Sequence, residues 1–163
     1  QKLEALQPAI GKQHFNRFLY QLLQLKNQGT WPKQLASEKL HNRSHKELIF
    51  FITDLYENDE EIITMVKQLK TARNEVAVLH LLGKSELEFD YKGQVIFEDL
   101  ESGAKVKVNA KDAKSTYLQA LEQSIKTTKE ALLASGIDYE LFSLEDHIGE
   151  ALHLFLKKRS AIF

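Results

Sequence analysis

The stretch Lys46–Asp54, KELIFFITD, decides how this chain is to be read. Leu48 to Ile52 run without a polar residue, and a run with no alternation is the pattern of a strand buried on both faces of a parallel sheet. It closes on Thr53-Asp54 and leads toward a helical pattern. In open α/β sheets ligands bind beyond the carboxyl ends of the strands, so Asp54 occupies the position where chemistry is expected.

Working outward, the chain repeats strand and helix. Asn58 with Glu61 three residues on makes a capping-box arrangement, and Ile62, Val66 and Leu69 form the inward stripe of the helix that follows. Asn74 is the expected left-handed terminator. Glu75–Leu82, EVAVLHLL, is a second buried strand closed by Gly83. Leu87, Phe89 and Tyr91 then alternate with acids before a Lys92-Gly93 turn. Val95 and Phe97 alternate up to Ser102-Gly103, and Val106 and Val108 follow. This predicts a half-exposed antiparallel insertion over residues 86–108. Asn109 caps the longest helix, with Leu118, Leu121, Ile125 and Leu132 inward and Gly136 as its stop. Ile137–Leu144 is the third strand. The last helix buries Ile148, Leu152 and Phe155 and carries Lys157, Lys158 and Arg159 where positive charge suits the helix dipole. Ahead of the deciding stretch, Phe15, Phe18, Leu19, Leu22 and Leu25 mark an amphipathic helix stopped by Gly29, and Trp31-Pro32 opens a short one. Strands alternating with helices imply a mainly parallel sheet, and one α/β domain over residues 1–163 is expected, a three-layer sandwich with the antiparallel insertion.

Composition narrows the function. The chain has 163 residues, 22 Lys and Arg against 23 Asp and Glu, and no cysteine. Balanced charge gives no field favouring nucleic acid or an anionic membrane surface. The lack of cysteine excludes disulfides, thiolate catalysis and cysteine zinc sites, and favours a cytoplasmic, reducing setting. No apolar run approaches the roughly 18 residues of a membrane helix. Neither a glycine-rich phosphate loop nor a Gly-x-Ser-x-Gly elbow around Ser85 occurs. His80, inside an apolar strand, reads as a satisfied core histidine, and the other histidines have no spacing that makes a zinc pair.

The strands IFFITDL and VAVLHLLGKSELEF, the phrase VIFEDLESGAKVKVN, the helix AKSTYLQALEQSIKTTKEAL and the segment GIDYELFSLEDHIGEALHLFLKKR together resemble a bacterial family, number fifty-eight among domains of unknown function, with a von Willebrand factor A-like fold. The resemblance spans His14 to Arg159. It implies a metal-ion-dependent adhesion site made from an Asp-x-Ser-x-Ser motif, a threonine in a second loop and an aspartate after a later strand. Asp54 matches the last and Thr30 the second. The first motif is absent, and its strand would lie before Gln1, making this the carboxyl-terminal part of such a domain. Magnesium takes about six oxygens, so Asp54 and Thr30 make a degenerate site, with no cofactor expected here and magnesium expected only in complete relatives.

The resemblance implies a non-enzymatic scaffold that works with MoxR-type AAA+ ATPases in complex assembly. Contacts are expected at the carboxyl edge of the sheet, around Asp54, Tyr56, Glu57 and Ser85. The Lys46–Asp54 strand, left as an apolar edge, is expected to drive self-association. An alternative is an aspartate-dependent, metal-requiring phosphoryl-transfer enzyme or receiver-like domain centred on Asp54. A further alternative places recognition on the 86–108 insertion through Tyr91 and Phe97.

Overall fold

The computed structural model describes residues 6, 9–26, 47–55, 59–98 and 103–160. Thr30, Tyr56, Glu57, the Asn58 cap and the helix expected at Trp31-Pro32 lie outside the described residues. The chain divides into two compact units, residues 1–42 and 43–163. The first contains α1 (Lys12–Gln24), whose Phe15, Phe18, Leu19 and Leu22 sit along one face at helical spacing and are all exposed.

The second unit contains β1 (Glu47–Thr53), α2 (Asp59–Leu69), β2 (Asn74–Leu82), α3 (Lys84–Glu88), β3 (Gln94–Glu98), β4 (Lys105–Asn109), α4 (Ala110–Leu133), β5 (Asp138–Ser143) and α5 (Ile148–Ser160). It is a mixed α/β structure with a parallel sheet in the order β1-β2-β5 and a separate antiparallel β3-β4 pair. Both crossovers step the same way across the sheet, and right-handed connections then place α2 and α4 on one face. These two helices touch one another. On the opposite face Phe155 of α5 meets Phe50 of β1 edge-on, ring centroids 5.5 Å apart. That contact supplies the third layer.

β2 is the centre of the sheet. Val76, Ala77 and Val78 are almost wholly inaccessible, as expected of a strand paired on both sides and covered on both faces. The corresponding expectation for β1 is corrected. Its register places Phe50 and Ile52 on the α5 face, where they are 41% and 62% exposed. Among the described residues β1 is an outer strand of a three-stranded sheet, which gives the helix above it only a narrow floor. The same geometry corrects α5: Phe155 is buried, while Ile148 and Leu152 are exposed.

Two local readings change as well. Asn74 does not take a left-handed conformation; it starts β2. Its side chain still closes α2, the amide nitrogen donating to the Leu69 carbonyl at 2.6 Å and the amide oxygen accepting from the Thr71 N–H at 2.7 Å. Leu87 lies in α3 rather than in a strand. Phe89 takes φ 48°, which no strand residue adopts, because it turns the chain out of α3. Burial holds it there: its ring lies 4.8 Å from Tyr117, 5.1 Å from Tyr91 and 5.9 Å from Phe97. Tyr91 and Phe97 are thus partners in an aromatic cluster that fastens the β3-β4 pair to α4.

Asn109 and Gly136 bound α4 as expected. The Asn109 side chain accepts the Lys111 N–H at 3.1 Å. Gly136, at φ 67°, lets Ile137 N–H reach back to the Leu132 carbonyl at 3.1 Å and its own N–H to Leu133 at 2.9 Å, a Schellman closure that aims the chain straight into β5.

A candidate site at the carboxyl end of the sheet

The parallel strands end together, and three connections leave from that edge. After β1, the Thr53 hydroxyl oxygen accepts the Leu55 N–H at 3.0 Å, so Thr53 is a turn former as well as a strand residue. Leu55 is buried and takes φ 52°, a conformation that costs a leucine about 1 kcal/mol or more and persists only where its surroundings enforce it. The bend turns the Asp54 carbonyl toward His80 of β2, 3.1 Å from Nε2.

His80 is 5% exposed and anchors this corner. A backbone carbonyl only accepts, so Nε2 carries the proton and donates it to Asp54. Nδ1 then presents a lone pair and accepts the Tyr139 hydroxyl of β5 at 2.7 Å. Burial pushes the Tyr139 hydroxyl up to about 12. The expectation of a satisfied core histidine holds, and the relay runs across all three strands.

The other two connections are tied to each other. Glu86 of α3 accepts the Gly83 N–H at 2.7 Å. Glu145, in the turn after β5, accepts the Lys84 N–H at 2.7 Å and the Ser143 hydroxyl at 2.9 Å. The Lys84 N–H, and after it the Ser143 hydroxyl, hold the exposed Glu145 carboxyl below its ordinary range. Leu144 N–H donates to the Leu82 carbonyl at 2.9 Å. Ser85 is exposed on α3 beside this junction.

Between the sheet edge, α2 and α4 lies a cleft of about 650 Å³. Leu55, Leu82, Leu121 and Ile125 supply its apolar wall. Asp54, Glu60, Glu61 and Glu86 supply its charge. His80, Tyr117, Ser124 and Thr128 complete it. Asp54 therefore stands where its strand-end position predicts. Among the described residues no three His, Cys, Asp or Glu converge as a metal set.

Residues 1–127 match the family described as "Protein of unknown function DUF58". The chain belongs to this family. In the DUF58 chain the matched residues run from α1 through most of α4, with β5 and α5 beyond them. No curated protein and no solved structure matches it.

Sequence reading missed Tyr139, Glu86 and Thr128 as parts of this DUF58 site. Tyr139 becomes visible only through strand pairing: the β2-β5 register puts it on the His80 face, two positions away. Thr128 had no signal, because a single threonine on a helix reveals its depth only through what covers it. Among the described residues no helix is long and apolar enough to cross a membrane.

Proposed function

We propose that this DUF58 chain is a non-enzymatic protein-interaction module, binding at the carboxyl end of its parallel sheet. The observation that carries this reading is the cleft itself. It joins an apolar wall to acidic residues, it opens where the strand-end connections meet, and its Asp54 corner is held by the Asp54–His80–Tyr139 relay. Apolar walls with a few placed polar groups are what a recognition pocket needs. The von Willebrand A-like resemblance adds the partner class: a MoxR-type AAA+ ATPase encoded beside the gene, in the cytoplasm. A pull-down with this chain as bait is expected to retain that ATPase and to lose it on Asp54→Arg. An ATPase that passes through unbound overturns the assignment.

Two parts of the proposal have their own tests. The chain binds no magnesium tightly on its own; calorimetry showing millimolar or tighter binding abolished by Asp54→Ala contradicts this. β1, with Phe50 and Ile52 exposed on an outer strand, mediates self-association, and a monodisperse monomer in light scattering at high concentration counts against it. A phosphoryl-transfer reading draws on one feature, the placement of Asp54 at a strand end. Acyl-phosphate formation lost in Asp54→Asn is the result that establishes it.

A further inference from the structure

The cleft over His80 holds a feature that the fold does not use. Thr128 is 4% exposed, faces the cleft from α4, and its hydroxyl makes no side-chain hydrogen bond among the described residues. A buried hydroxyl without a partner destabilises the fold that carries it. Helical Ser and Thr commonly avoid that cost by bonding the carbonyl four residues back, as Ser135 does to Ala131 at 3.1 Å. Thr128 does not. Its hydroxyl oxygen is left as an acceptor on a residue that lines the cleft.

Among the described residues the charge around it has one sign. The described charged residues lining the cleft are Asp54, Glu60, Glu61 and Glu86. Glu60 and Glu61 are exposed, and neither takes part in a salt bridge among the described residues. They sit in the first turn of α2, at the mouth, with the apolar wall of Leu55, Leu121 and Ile125 completing the cleft. Acids spread along a rim above an apolar wall suit an elongated cation rather than a point ion. A long aliphatic stem packs on the wall while its charged head meets oxygen.

We propose that the cleft receives an arginine or lysine side chain presented by a segment of a partner protein. The stem lies along Leu121 and Ile125, and the head donates to the Thr128 oxygen under the field of the carboxylates. This assignment rests on the protein-interaction reading above and names the chemistry of the partner. The complementarity also governs encounter, since opposite charge speeds association and rejects acidic competitors.

The test uses the full chain and three labelled peptides followed by fluorescence anisotropy. The first is acetyl-Gly-Ala-Leu-Arg-Leu-Ala-Gly-amide, and the others carry Gln or Glu in place of the Arg. The Arg peptide is expected to bind roughly tenfold more tightly than the Gln peptide, and the Glu peptide not at all. Glu61→Gln should weaken the Arg peptide by about threefold while leaving the Gln peptide unchanged. Thr128→Val should weaken the Arg peptide by about tenfold, with a thermal midpoint equal to or above that of the parent. That last readout separates a ligand-binding hydroxyl from a structural one, whose loss would lower the midpoint. Equal binding of the Arg and Gln peptides, no binding of any of them, or an unaffected Thr128→Val variant overturns the proposal. If the ATPase is still captured in that case, only the basic-ligand assignment falls and the interaction reading stands.

Discussion

β1 and β2 are both short apolar strands, paired in register over seven residues from Glu47–Asn74 to Thr53–His80, yet their surroundings differ sharply. In β2 Val76, Ala77 and Val78 are each about 1% exposed, whereas in β1 Phe50 and Ile52 remain open. Apolarity is common to both. What separates them is the number of neighbours, because β2 has a strand on each side and β1 has β2 alone among the described residues. An apolar run states a tendency to be buried; the rest of the fold decides how much of that tendency is met.

The sharpest way to break this comparison is a charge on each strand. Val78→Asp should abolish cooperative folding, since an unpaired buried carboxylate costs several kcal/mol, a large share of a domain's roughly 5–15 kcal/mol. Ile52→Asp should shift the urea midpoint hardly at all and should reduce any self-association. Equal losses in the two variants, read by circular dichroism, would mean that β1 is covered as fully as β2.

A second contrast concerns the rings across the α5 layer. Phe155→Ala should cost about 3 kcal/mol, as expected for a buried phenylalanine. Phe50→Ala, at a position already part-open, should cost about half of that. Urea titration of both variants gives the ratio.

The relay at the strand ends makes a pH prediction. The Tyr139 hydroxyl is raised in the folded state to about 12 from an ordinary value near 10. The folded protein therefore holds this proton more tightly than the unfolded chain. The contribution is fully present below pH 10 and is lost as pH rises from 10 to 12, about 2 to 3 kcal/mol in all. Tyr139→Phe should flatten that slope. At neutral pH it should cost about 1 kcal/mol, because His80 Nδ1 loses its donor. Leu55→Gly should show a net loss of about 1 kcal/mol by urea titration, because about 1 kcal/mol of backbone relief offsets only part of the roughly 1.5–3 kcal/mol of lost apolar burial.

Much of the architecture was legible in the residues. The three strands, the helix caps at Asn109 and Gly136, the parallel direction of the strands and the strand-end position of Asp54 all follow from local pattern. So did His80 as a satisfied core histidine, since an imidazole in an apolar strand must find partners. Phe89 was misread because alternation from Leu87 to Tyr91 fits a strand, while a buried aromatic cluster reverses its φ. Ile148 and Leu152 were misplaced because helical spacing identifies a face without saying whether anything lies beneath it.

By itself, then, the sequence determined the three parallel strands, the long helix between Asn109 and Gly136, and that an acid stands at the end of the first strand. Those are short-range matters of hydrogen-bond capping, backbone preference and periodicity, written in neighbouring residues. Only the tertiary structure decided that Phe50 and Ile52 stay exposed, that Tyr139 reaches His80, and that Thr128 faces a cleft rimmed by Glu60 and Glu61. Each of these depends on groups brought together from distant parts of the chain, and burial is a property of such meetings rather than of any residue alone.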